Sequence, residues 1–122
     1  MNITQYFGKN LEELEDYFVY EINKDSYYLI GKENYGLALI ERSLKLDKKF
    51  YEYNEWVQNE EMRISGHDNY TKSELHDNVF LNNYSWYCPT SKYYYVLYCY
   101  TTVRKENQPD FITNILKRIK CH

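Results

Sequence analysis

From Tyr93 to Val103 the chain runs Tyr-Tyr-Tyr-Val-Leu-Tyr-Cys-Tyr-Thr-Thr-Val without a charge, bounded by Lys92 and Arg104. Aromatic and β-branched residues at this density suit a pleated surface, so the run reads as a strand. Alternation puts Tyr93, Tyr95, Leu97, Cys99, Thr101 and Val103 on one face. Tyr94, Val96, Tyr98, Tyr100 and Thr102 fall on the other. Neither face is polar. A strand of this kind is either buried on both sides in the middle of a sheet, or buried on one side with an aromatic face turned to a partner. It is too short to cross a bilayer as a helix.

The neighbouring elements follow from the same reasoning. Val79 to Tyr87 makes a second strand, joined to the first by a turn at Cys88-Pro89-Thr90-Ser91-Lys92. Tyr27–Ile30 and Leu37–Ile40 flank Gly31, Asn34 and Gly36 and read as another hairpin, with a helix over the second run as the alternative. Asn10 with Glu13 three residues on resembles a capped helix start. Leu11, Leu14, Phe18 and Ile22 continue it at helical spacing. Phe50, Tyr53, Val57 and Ile64, with Trp56 beside them, predict a second helix from about Asp47 to Ile64. Its outer face would carry Glu52, Glu55, Glu60 and Glu61, and Ser65-Gly66 would end it. A polar segment to Asn78 then reads as loop. Pro109 suits the first turn of a closing helix whose stripe is Phe111, Ile112, Ile115, Leu116 and Ile119. The expected order is α-β-β-α-β-β-α, a single α+β domain over residues 1–122 with a small antiparallel sheet.

Composition narrows the class. At 43% apolar and 27% charged the chain is globular rather than disordered, and four glycines and two prolines leave no low-complexity tract. No charged start followed by an apolar stretch suggests a secretory signal, so a cytoplasmic protein that does not enter membranes is expected. The cysteines Cys88, Cys99 and Cys121 lack a CxxC pair, which favours reduced, buried thiols over a zinc site with a histidine. The repeated triplets His67-Asp68-Asn69 and His76-Asp77-Asn78, with Glu74 between them, are the lead for a metal-dependent enzyme. They match no ligand spacing of known geometry and lie where the composition indicates loop. No nucleophile elbow, phosphate-binding glycine loop or HExxH appears, so neither a catalytic residue, a metal ligand nor a cofactor is assigned.

Binding is the stronger reading. Sixteen of the 122 residues are tyrosine, seven of them between Tyr84 and Tyr100. Tyrosine joins a large apolar ring to a polar tip at low entropic cost, which is why it concentrates at contact surfaces. Tyr84, Trp86, Tyr94, Tyr98 and Tyr100 are the expected aromatic anchors, with Glu52, Glu55, Glu60 and Glu61 as acidic contacts. Residues 1–91 carry nine Lys/Arg against sixteen Asp/Glu, whereas residues 92–122 carry six against two. An acidic, tyrosine-rich protein suits neutralisation of a basic nucleic-acid-processing enzyme, the strategy of bacterial toxin-immunity and phage inhibitor proteins as classes. The expected function is therefore that of a non-enzymatic inhibitor, immunity- or antitoxin-like, whose partner is a toxin or other target enzyme. The alternative is a single-stranded nucleic-acid binder, in which the tyrosines stack bases while Lys92, Arg104, Lys105, Lys117, Arg118 and Lys120 meet phosphates. An exposed strand edge in the hairpin would equally serve to pair two copies.

Overall fold

The computed structural model describes residues 17–32, 36–47, 49–102 and 108–121. Seven strands form one antiparallel sheet: β1 (Tyr17–Asn23), β2 (Ser26–Gly31), β3 (Leu37–Ser43), β4 (Val57–Ile64), β5 (His67–His76), β6 (Val79–Cys88) and β7 (Tyr93–Thr102). Their spatial order is β1-β2-β3-β7-β6-β5-β4. Two short helices accompany them among the described residues, α1 (Phe50–Tyr53) and α2 (Gln108–Arg118). The protein is thus mainly β, and the α+β expectation is overturned.

Both expected hairpins form. β2 pairs with β3 from Ser26↔Glu41 to Ile30↔Leu37. β6 pairs with β7 from Val79↔Thr102 to Cys88↔Tyr93. At the second turn the Lys92 amide donates to the Cys88 carbonyl at 2.8 Å, and Lys92 takes φ 63°. The expected closing helix also forms, as α2. Three other expectations fail. Asn10 to Asp16 lie outside the described residues, but Tyr17–Asn23, assigned to the first helix, is strand β1. The helix expected from Asp47 to Ile64 is only the single turn α1, after which Val57–Ile64 is strand β4. The segment read as loop is strand β5, closed on both sides by tight turns. Ser65 and Gly66 both adopt positive φ, 51° and 78°, which joins β4 to β5 with the right-handed twist a two-residue hairpin needs. Asp77, at φ 53°, begins the equally short turn between β5 and β6.

Strand parity divides the molecule. One sheet face carries Tyr27, Leu29, Ala38, Ile40, Tyr95, Leu97, Cys99, Trp86 and Cys88, all buried. Ile115 and Leu116 of α2 and Ile119 just after it complete this cluster, so the helix lies on that face. Trp86 stacks on Tyr95 with ring centroids 5.3 Å apart and planes 10° from parallel. Arg42 is buried at the core margin, where its Nε donates to Asp25 at 2.8 Å and its guanidinium sits 4.4 Å from the Tyr93 ring centre. The middle of β4 bulges between Asn59 and Ile64. Buried Asn69 anchors that bulge, accepting from Asn59 and donating to the Met62 carbonyl, both at 3.0 Å.

Between β3 and β4 the chain passes from the middle of the sheet to its far edge, carrying α1 across the face opposite α2. Tyr51 of α1 stacks on Tyr70 at 3.9 Å, and its hydroxyl shares a 3.0 Å hydrogen bond with Ser85. Phe50 and Tyr51 both contact the Trp56 ring, which is buried. One end of the second face is thereby covered.

Candidate functional site

Among the described residues no element covers the β1–β2 end of that second face, while Val96 and Asn83 farther along it are buried. Tyr20 is 54% exposed, Phe18 49% and Tyr28 39%, although all three belong to strands whose other side is core. Their row continues inward: Tyr20 pairs with Tyr28, Tyr28 with Leu39, and Leu39 with Tyr98. Tyr100 lies beside Leu37, and Glu41 lies beside Val96 on the same face. The result is an aromatic platform across four strands, with a carboxylate set into it.

Burial and proximity act together on these groups. Burial raises the Tyr98 phenol above its ordinary value, and the neighbouring charges of Glu41 and Tyr100 add to the shift. Tyr100 is raised by burial, then by Tyr28 and Glu41. Among the described residues Glu41 has no ion-pair partner, and Lys32 stands 5.1 Å over the Phe18 ring at the platform's edge. Chemically the site suits a cation from another molecule, received by Glu41 and by the ring faces together.

The expected anchors are not all brought together. Tyr94, Tyr98 and Tyr100 do share the open face. Trp86 does not: it pairs with Tyr95 and is 1% exposed in the core. Tyr84 pairs with Leu97 on the core face and is partly buried there, its phenol pushed up to about 12 by burial, then by Cys99 and Glu61. Trp86 and Tyr84 are therefore corrected from contact residues to packing residues. Glu52 and Glu55 are exposed on and just after α1, on the side of the open face. Glu60 and Glu61 are exposed in the bulged edge strand β4 and belong to a different part of the surface. The aromatic residues that sequence reasoning missed are Phe18, Tyr20 and Tyr28. Glu41 was missed as well, because an isolated acid in an apolar run carries no signal until its strand partners are known.

The basic set separates too. Lys117, Arg118 and Lys120 lie on or just after α2, which packs on the face opposite Tyr94, Tyr98 and Tyr100. Arg104 and Lys105 are outside the described residues; Lys92 is exposed in the β6–β7 turn. Among the described residues, the cations of and just after α2 and the rings of the opposite face therefore do not converge as base stacking with phosphate contact requires.

His67 and His76 begin and end β5, so they stand about 30 Å apart at ~3.3 Å per residue and point to opposite faces. They cannot share an ion, which removes the His67/His76 enzyme site. His76 instead bonds Glu74 at 2.9 Å, and Glu74 also meets Lys72 at 3.0 Å. These contacts, His76 first, hold the Glu74 carboxyl below its usual range.

His67 has different company. Its ligand nitrogen and the sulfurs of Cys88 and Cys121 all lie within 4.8 Å of one another. The Cys88 thiol reaches the Cys121 carbonyl at 3.6 Å. Burial opposes ionisation of Cys88. Hydrogen bonds from Cys121, the Ser91 hydroxyl and the Ser91 and Thr90 amides outweigh it and bring that thiol below its ordinary value. Burial and the Cys88 contact push Cys121 up to about 12. Cys99, fully buried elsewhere in the core, is raised to about 12 by burial alone.

No known family, curated protein or solved structure matches this chain. No helix among the described residues is long and apolar enough to cross a membrane.

Proposed function

We propose that this protein is a non-enzymatic binding protein that inhibits a target by direct contact through its open aromatic face. The most concrete form of the proposal is an immunity- or antitoxin-like protein whose partner presents a basic surface. One observation carries it: exposed Phe18, Tyr20 and Tyr28 and half-buried Tyr98 and Tyr100 line, around the Glu41 carboxylate, a sheet face that no described element covers. Rings of this kind provide rigid contact area, and a carboxylate among them favours an arginine or lysine while disfavouring an anion. The exposed Glu52 and Glu55 extend the negative charge towards α1. Phosphate binding is poorly served by this arrangement, since the α2 cations are on the other side of the sheet.

The test is capture from nuclease-treated source lysate with wild-type protein, Tyr98→Ala, Glu41→Lys and Lys117→Ala. A stoichiometric protein partner is expected with wild type and Lys117→Ala. Its capture should weaken at least ~10-fold with the two face variants, since one aromatic anchor contributes ~2 kcal/mol. The captured partner's activity should be inhibited on adding the protein back. Capture that depends on nucleic acid, or that Tyr98→Ala and Glu41→Lys leave intact, would defeat the proposal.

A further inference from the structure

The cluster at His67, Cys88 and Cys121 lies at the end of the sheet, away from the aromatic platform. Its three residues are remote in sequence: the first position of β5, the last of β6, and a position just beyond α2. The β5–β6 register places them. Pairing runs from His76↔Val79 to Tyr70↔Ser85, and the next residues would set His67 opposite Cys88 on the core face. The ladder stops at Tyr70↔Ser85, although β4–β5 pairing continues to Ile64↔His67 and β6–β7 pairing to Cys88↔Tyr93. The two strands therefore splay where the His and Cys side chains meet. A cleft of about 310 Å³ opens beside this meeting point towards the second face, lined by Tyr51, Tyr70, Tyr87 and Tyr94 and reached, of the three cluster residues, by His67.

We propose that His67, Cys88 and Cys121 form a binding site for one thiophilic divalent metal ion, zinc being the natural occupant. Two thiolates and an imidazole are the donor set that such an ion selects over magnesium or calcium. Bonds of ~2.3 Å to sulfur and ~2.0–2.1 Å to nitrogen, at tetrahedral angles, would set the three donor atoms ~3.5–3.8 Å apart. The present separations, within 4.8 Å, need a contraction of about 1 Å. Side-chain rotation supplies that without moving a strand. His67 borders the cleft, so solvent reaches the cluster from the imidazole side, where it would supply the fourth ligand. Outer support is already in place: the Cys121 amide donates to the Ser65 hydroxyl at 3.4 Å, and the Ser91 hydroxyl and the amides of Thr90 and Ser91 are directed at the Cys88 sulfur. Amide and hydroxyl donors of this kind orient a thiolate ligand and spread its charge. Binding replaces the thiol protons, which leave to solvent, so no redox partner is involved.

Occupancy would tie the segment after α2 to the β5 and β6 ends. Cobalt(II) is the probe, because thiolate coordination gives a ligand-to-metal charge-transfer band and tetrahedral geometry gives intense visible bands. Reduced wild-type protein should bind one Co(II) per chain with both features, and excess Zn(II) should abolish them. Cys88→Ser, Cys121→Ser and His67→Ala should each weaken binding by about 100-fold or more, beyond the ~10–100-fold that losing an outer partner costs. Cys99→Ala, which changes a core thiol outside the cluster, should bind as wild type does. Folded, reduced wild type that shows no charge-transfer band overturns the proposal without any variant. So does equal loss on Cys99→Ala, or retention of the band in Cys88→Ser and Cys121→Ser.

Discussion

Trp86 and Tyr98 belong to the same hairpin, three strand pairs apart and on opposite faces, and they should behave as opposites. Trp86 is 1% exposed and stacked on Tyr95, with α2 closing the core above that face. Trp86→Ala removes a large buried ring and its stack on Tyr95, a class of change costing ~3–5 kcal/mol. A 122-residue domain has a total stability of about 6–18 kcal/mol at ~0.05–0.15 kcal/mol per residue. At this size ~1 kcal/mol moves Tm by about 3–5 °C, so Trp86→Ala should lower it by ~10–20 °C. Tyr98 is half-buried on a face where no described element lies over it. Tyr98→Ala therefore gives up part of one ring's burial, ~1 kcal/mol, and should move Tm by no more than ~5 °C. Thermal unfolding followed by circular dichroism reads both directly. Equal losses from the two substitutions would refute the division of the sheet into a packed and an open face, and the binding proposal with it.

Other substitutions probe the same structure. Asp25→Asn removes the carboxylate from buried Arg42 but leaves the Lys24 carbonyl at 3.3 Å and the Tyr93 ring, and Asp25 is itself one-third exposed. A loss of ~2–3 kcal/mol is expected, below the ~3–5 kcal/mol of a fully enclosed pair, and a urea midpoint unchanged from wild type would contradict it. Gly66→Ala meets no atom within 4 Å, so its cost should be the backbone strain at φ +78° alone, ~1 kcal/mol; a loss above ~3 kcal/mol would mean the turn packs against something. Burial raises the Tyr84 and Tyr95 phenols from near 10 to about 12, so folding favours their neutral forms. That stability is complete below pH ~10 and is lost as the pH rises towards about 12, on the order of 2 kcal/mol for each phenol. Denaturant midpoints that stay flat over this alkaline window would refute the burial argument.

The parts of the fold legible in the sequence were those with one strong period. β6–β7 and α2 each have an apolar run that only one structure satisfies, and β2–β3 was read as a hairpin although its second run also suited a helix. β1 was hidden by arithmetic: Phe18 and Ile22 are four residues apart, a spacing that puts two side chains on one face of a helix and on one face of a strand alike. β4 and β5 were hidden by exposure. They form the outer end of the sheet, carry polar groups on both faces and show no alternation to read. In β7 the two faces were separated correctly, but Trp86 was placed with the wrong one. Which β6 residues join which β7 face depends on the length of the Pro89–Lys92 turn, and a shift of one residue reverses every assignment. The His67–Cys88–Cys121 cluster had a signal after all. Asp77-Asn78, read as a two-residue hairpin loop, pairs the flanking strands so that His67 falls opposite Cys88.

The sheet is two locally wound meanders, β1–β3 and β4–β7, that meet only where β3 pairs with β7. Residues that join across this seam are remote, Leu37 with Tyr100 and Ser43 with Tyr94. Each meander closes short loops and can assemble early, whereas the seam must wait for a long chain closure. Until it does, β7 is an unpaired edge without a charge to protect it. Refolding should therefore become second-order in its losses: yield falls as protein concentration rises, because another molecule's β7 competes for the place of β3. The strand that is the centre of the native sheet is, for a time during folding, its most adhesive border.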